Sequence, residues 1–177
     1  MEDAEEELGD DVLASLLVYV DESGFYDRDI SPIRGYSKVG KRLYGEVSGS
    51  KRGKTNLLAA WCAGEFLPCL LAIKGSVNKE VFIYWLFEML LPTLKKGQII
   101  ILDNASFHHL SEDDIKLIVS KGFYVLFLPK YSPDLNPIEK CFATIKHYVR
   151  KISKKLKSAK MTDYLKHVFK TNLSVQT

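Results

Sequence analysis

Apolar positions along this chain follow two rhythms, and each predicts a kind of element. Leu16 to Val20, Gln98 to Leu102 and Phe123 to Leu128 are short, nearly uninterrupted apolar runs rich in β-branched and aromatic residues. Runs of this length, bounded by polar or turn residues, predict strands buried on both faces of a sheet. Between the first and second run, glycines and basic residues punctuate three more short stretches, Arg42–Val47, Thr55–Cys62 and Phe66–Ile73. Their even spacing predicts an antiparallel meander.

The other rhythm is helical. Asn78 to Leu91 is apolar at helical spacing and stops at Pro92. Glu112 to Ser120 predicts a short amphipathic helix closed by Lys121-Gly122. Asn136-Pro137-Ile138-Glu139 reads as a helix start. Asn can cap, Pro fits the first helical position, and Glu three residues after the cap can complete a capping box. The helix that follows predicts an apolar stripe of Ile145, Val149, Ile152 and Leu156. Met161, Tyr164, Leu165, Val168 and Phe169 predict a last amphipathic helix. A meander followed by alternating strands and helices implies an α/β fold with a mixed sheet covered by helices. The expected organisation is an acidic leader over 1–14, one domain over 15–157, and a C-terminal helix and tail over 158–177.

Composition narrows this without changing it. The 177 residues are 46% hydrophobic and 27% charged, enough for one domain with a proper core. The longest wholly apolar run, Val81 to Phe87, is far short of a membrane span. The acidic start, MEDAEEELGDD, is unlike a signal peptide. Cys62, Cys69 and Cys141 form no CxxC pair, which points to a reducing compartment, no disulfides and no zinc site. These features place the chain in the cytoplasm, with no membrane partner. The net charge of +3 conceals an uneven distribution. Residues 1–30 hold eleven acids and one base, whereas residues 140–177 hold ten bases and one acid. A basic C-terminal third is either a solvated helix face or a surface that meets phosphates.

The candidate chemistry lies in carboxylates. Asp21 and Asp103 each follow an apolar strand, and ligands of open α/β sheets collect beyond the carboxyl ends of strands. Each is equally readable as an Asx turn or a helix cap. Glu139, at a helix start, is a possible third acid. Three clustered carboxylates repel unless a cation or basic neighbours compensate. Mg²⁺ takes oxygen ligands, and two such ions about 4 Å apart suit phosphodiester chemistry. No His or Cys constellation suits zinc, and His147 and His167 read as surface or interface residues. SGSKRGKT, Ser48 to Thr55, nearly matches a phosphate-binding P-loop, but Ser48 replaces its first Gly. A basic hairpin turn carrying Lys51, Arg52 and Lys54 towards DNA is the better reading.

Three motifs together carry a family resemblance: VDESGF, ILDNASFH and LPKYSPDLNPIEKCFATIK. They resemble the DDE transposases of the mariner superfamily, especially its bacterial insertion-sequence branch, over about Leu16 to Lys151. The matching acids are Asp21, Asp103 and Glu139, with 35 residues between the last two. The resemblance implies an RNase H-like catalytic domain that holds two Mg²⁺ or Mn²⁺ ions on those acids. It implies DNA cleavage and strand transfer at transposon ends, a homodimer in the DNA complex, and a bacterial, nucleoid-associated setting. Asn104 and His108 fall within the matched second motif as candidate DNA contacts. Lys146, two helical turns after Glu139, and Arg150 in the basic segment are candidate phosphate contacts. Phe142 stands where relatives commonly carry Trp. The helix-turn-helix modules of such relatives are not recognisable here, so an expected partner is a separate helix-turn-helix chain. A second reading is an inactive, truncated remnant that folds and associates with DNA or a partner without turnover.

Overall fold

The first strand, β1, spans Leu17–Tyr26, and its backbone carries polar residues that have little strand propensity of their own. It is held by β2, Lys54–Cys62, in an antiparallel ladder running from Tyr19 opposite Trp61 to Tyr26 opposite Lys54. The expected end of this strand at Val20 is therefore corrected: pairing with β2 carries it six residues further. Burial along β1 alternates rather than running unbroken, and its buried positions shift from one face at Val18 and Val20 to the other at Ser23 and Phe25. The structure, a computed structural model, describes residues 11–26, 37–42, 53–103, 110–129, 132–153, 160–169 and 173–176.

At Cys62 the chain reverses through Ala63 and Gly64, both at positive φ, into the two-residue strand β3, Glu65–Phe66. Positive φ at both central residues is the primed hairpin turn whose twist matches the flanking strands. The expected strand Phe66–Ile73 is broken. Pro68 has no N–H to give the ladder, and Cys69 turns back to donate to the Leu67 carbonyl at 2.8 Å. The chain then resumes against β2 as β4, Leu70–Lys74. Of the expected strand Arg42–Val47, residues 43–47 lie outside the described residues.

Helix α1, Lys79–Tyr84, is capped by the Asn78 side chain, which accepts from the Val81 N–H. It widens into a π-helical segment, Trp85–Leu90, and ends in a 3₁₀ turn that accommodates Pro92. Next comes β5, Ile99–Leu102. Helix α2 spans Glu112–Ser120, as its periodicity predicts. Its start is a complete capping box between Ser111 and Asp114, and Gly122, at φ +92, follows its C-terminal Lys121. Strand β6, Tyr124–Phe127, follows, then a 3₁₀ turn at Pro133–Leu135 and the long helix α3, Ile138–Ser153. Helix α4, Met161–Phe169, precedes a short strand β7, Leu173–Gln176, in a segment expected to be a tail.

The strand order is β6-β5-β1-β2-β4-β7, with β3 also on β2. β5 and β6 run parallel to β1, and β7 runs parallel to β4. Alternation sends Val18, Val20, Leu58, Ala60, Ile100 and Leu102 to one face, where Phe82, Trp85, Leu86 and Ile118 cover them. The other face carries Phe25, Leu57, Ala59, Leu70 and Ala72, beneath Ile138, Phe142, Ile145 and Val149 of α3 and Met161, Tyr164 and Leu165 of α4. The result is a three-layer α/β/α arrangement with a core on each side of the sheet. No described helix is long and apolar enough to cross a membrane.

Candidate active site

The ladder between β1 and β5 ends at Val20 opposite Leu102. The next residue on each strand is an acid, Asp21 or Asp103. Val20 and Leu102 both point into the α1 core, so alternation turns the following residue of each strand to the α3 face. The sequence positions of the two acids thus meet where the parallel pairing stops, Asp21 within β1 and Asp103 immediately after β5. Asp21 is not at a strand end, as expected; it sits mid-strand, at the point where β1 loses β5 as a neighbour. Both acids are half-buried.

The third acid arrives on α3. Its exposed Glu139 lies on the first turn and lines an open cleft of about 350 Å³ with Asp21, Ser23, Phe142 and Lys146. The spacing explains this set: residues 139, 142 and 146 recur on one side of a helix. Phe142 is the buried edge of that side, with its ring 6.2 Å from that of Phe66. A Phe thus fills this position as part of the core. Lys146 holds its ammonium over the ring of Phe25, 5.6 Å from the centroid. A cation above an aromatic face is attracted by the ring quadrupole, and here that contact keeps Lys146 beside the acids.

Asp21 is oriented from two sides. Its Oδ1 accepts from the Glu22 backbone N–H at 2.6 Å, and its Oδ2 accepts from Asn136 Nδ2 at 3.4 Å. The expected cap at Asn136 is corrected by this contact. The Glu139 N–H donates to the main-chain carbonyl of Asn136 at 3.3 Å, while the Asn136 side chain crosses to β1. Asn136 Oδ1 is buried and has no hydrogen-bond partner. No local pattern could have revealed this link, which spans 115 positions.

The other candidates fall in different places. Lys54 is on the opposite face of the sheet, 4.0 Å from Glu22 and over the ring of Tyr26. Thr55 is buried within β2 rather than opening a helix, which rules out the P-loop reading of Ser48 to Thr55. Arg150 lies one turn beyond Lys146 on α3. Asn104, His108, Lys51 and Arg52 lie outside the described residues.

The donors around the cleft are carboxylate and amide oxygens, which suit a hard divalent cation and not zinc. The unsatisfied Asn136 oxygen fits a polar site built to take a further group. Among the described residues, no three acidic, His or Cys side chains are gathered closely enough to hold a metal as they stand. Glu139 is exposed and lines the cleft with Asp21, so the set fits such a cation by donor type and leaves the cleft open.

A mixed sheet of this order, with helices on both faces, is an RNase H-like fold. The same fold is seen in the solved structure titled Mos1 transposase paired-end complex with left transposon end. That structure has a TM-score of 0.63 and 19% identity, over 88% of this chain and 51% of that one. The Mos1 mariner paired end complex with Mn gives 0.62 and 18%, over 96% and 56%. The catalytic domain of Mos1 mariner transposase gives 0.50 and 16%, over 96% and 83%. The chain spans about half the length of the full transposases it matches. No curated protein sequence matches it significantly. Residues 16–163 match the family described as DDE superfamily endonuclease, and the chain belongs to that family.

Proposed function

We propose that this chain is the catalytic domain of a mariner-superfamily transposase of the bacterial insertion-sequence branch, cutting DNA and transferring strands at transposon ends. The observation that carries the reading is the cleft that Asp21 shares with Glu139 and Lys146, at the point where the β1–β5 ladder ends one residue before Asp21 and Asp103. The solved Mos1 complexes with a transposon end and with Mn support DNA as substrate and a divalent metal as cofactor.

Asp21, Asp103 and Glu139 would hold two Mg²⁺ or Mn²⁺ ions. When bound, such a pair activates the attacking hydroxyl and stabilises the leaving oxygen of a phosphodiester. The chain's own residues do the positioning. Asp21 is held by N–H donors on both oxygens. Lys146, steered by Phe25, offers a cation to a phosphate entering the cleft. Arg150 extends that basic line along α3, Lys51 and Arg52 are assigned to DNA contacts, and Asn104 and His108 to positioning DNA or water near the metals. Phosphate contacts of this kind position DNA without reading its sequence. End recognition is therefore assigned to a helix-turn-helix module, and the working complex to a homodimer.

The test is nicking and strand transfer on DNA bearing the transposon ends, with a DNA-binding module supplied and Mn²⁺ present. Asp21→Asn and Asp103→Asn should each lower the rate by at least about 100-fold, since metal stabilisation of the transition state is worth several kcal/mol. If wild type and Asp103→Asn prove equally inert, the chain is a folded remnant without turnover.

A further inference from the structure

Asn136 sits at the mouth of α3, three residues before Glu139, and its residue type has no local explanation. A capping Asn uses its side-chain oxygen to accept from the first helical N–H groups. Here that oxygen accepts nothing, although the side chain is 96% buried. The Glu139 N–H goes to the Asn136 main-chain carbonyl instead. What the side chain does make is the contact from Nδ2 to Asp21 Oδ2, at the long end of hydrogen-bond range. A buried amide with an empty acceptor costs free energy, and native proteins keep such groups where function uses them.

We infer that Asn136 is a positioning residue for the Asp21 carboxylate: its amide N–H sets the direction of Oδ2 and ties the start of α3, and with it Glu139, to strand β1. The inference rests on Asp21 being a metal ligand. An ionised carboxylate oxygen can accept from a protein donor and still ligate a cation. The Glu22 N–H comes from the adjacent residue and is present in any conformation of α3. The Asn136 donor comes from the start of the helix that carries the third acid, so it couples the separation of Asp21 and Glu139 to the orientation of Asp21. Ligand carboxylates are commonly held by outer hydrogen bonds of this kind, and removing one typically weakens metal affinity by about 10- to 100-fold.

The test is calorimetric titration of the metal-free chain with Mn²⁺ alone, together with its melting temperature. Asn136→Ala removes the donor. Asn136→Ser keeps a hydroxyl able to cap the helix but is too short to reach Asp21. Both should weaken Mn²⁺ binding by about 10- to 100-fold. The Ser variant should melt close to wild type, which separates lost positioning from lost folding. If both variants fold and bind Mn²⁺ as wild type does, the inference is overturned. A Ser variant that restores both affinity and melting temperature shows helix capping alone and overturns it as well. If wild type and Asp21→Asn bind Mn²⁺ equally, the metal site itself is misplaced, a failure visible without any change at Asn136.

Discussion

Glu139 looks like helix punctuation in the sequence, yet it lines the cleft in the fold. Its side chain is exposed in the cleft, and the cap it was expected to complete is not formed. Glu139→Gln should therefore change stability by less than about 0.5 kcal/mol, as surface substitutions do. It should still abolish metal-dependent cutting. Urea unfolding and a nicking assay check the two halves, and lost stability with retained cutting would restore the structural reading. Cys69 makes a different point. Burial pushes its thiol from an ordinary 9.0 up to about 12. The folded state favours the protonated thiol, so this contribution is present below pH 9 and fades as pH rises towards 12. Stability should fall across that window, and less so in Cys69→Ala. Cys69 should also resist alkylation at pH 8 until the chain unfolds, because the thiolate is the reactive form. Mass spectrometry of iodoacetamide-treated protein reads this directly.

Elements were legible wherever local chemistry decides them. Helix α2 forms over its expected span because its cap, its closing glycine and its apolar spacing agree. The Ser111–Asp114 box escaped notice because Asp stands where the usual pattern has Glu or Gln. The Ser111 hydroxyl, foremost, holds the Asp114 carboxyl below its ordinary range. Ser111→Ala should cost about 1 kcal/mol, measured by urea unfolding. A depressed carboxyl stabilises above its unfolded pKa, so this cost should shrink in acid, once Asp114 is protonated. Elements were misread where a neighbour decides them. β1 outruns its apolar stretch because β2 supplies a ladder, and the Phe66–Ile73 strand breaks because Pro68 cannot supply one. Apolar β6 is largely exposed, since it pairs with β5 alone among the described strands and its outward face meets little else. Continuous hydrophobicity does not distinguish such an edge from a central strand.

At the scale of the molecule, charge and fold act together. The basic residues of α3 run from the cleft towards its C-terminus, where Arg150 and Lys151 also oppose the helix dipole. If this face grips DNA, log affinity should fall linearly with log salt. Lys146→Ala should weaken binding to any sequence about equally and reduce the slope by about 1, as one phosphate contact does. Fluorescence anisotropy over a salt series measures both, and an unchanged slope would place Lys146 off the DNA path.

The sequence by itself determined the mixed α/β architecture and the helical spans, and it singled out the three candidate acids. Periodicity, caps and the YSPDLNPIE stretch are local, and local chemistry is what residue order encodes. Only the tertiary structure decided where those acids stand. Asp21 is mid-strand because β2 carries β1 past it, and Asp103 is its neighbour because β5 pairs only as far as Val20. Asn136 reaches across 115 positions to Asp21 rather than capping its own helix. Lys54, expected in a basic turn, opens strand β2 and meets Glu22 on the opposite face. In each case the partner comes from elsewhere in the chain, and the energy of pairing belongs to two segments that only folding brings together.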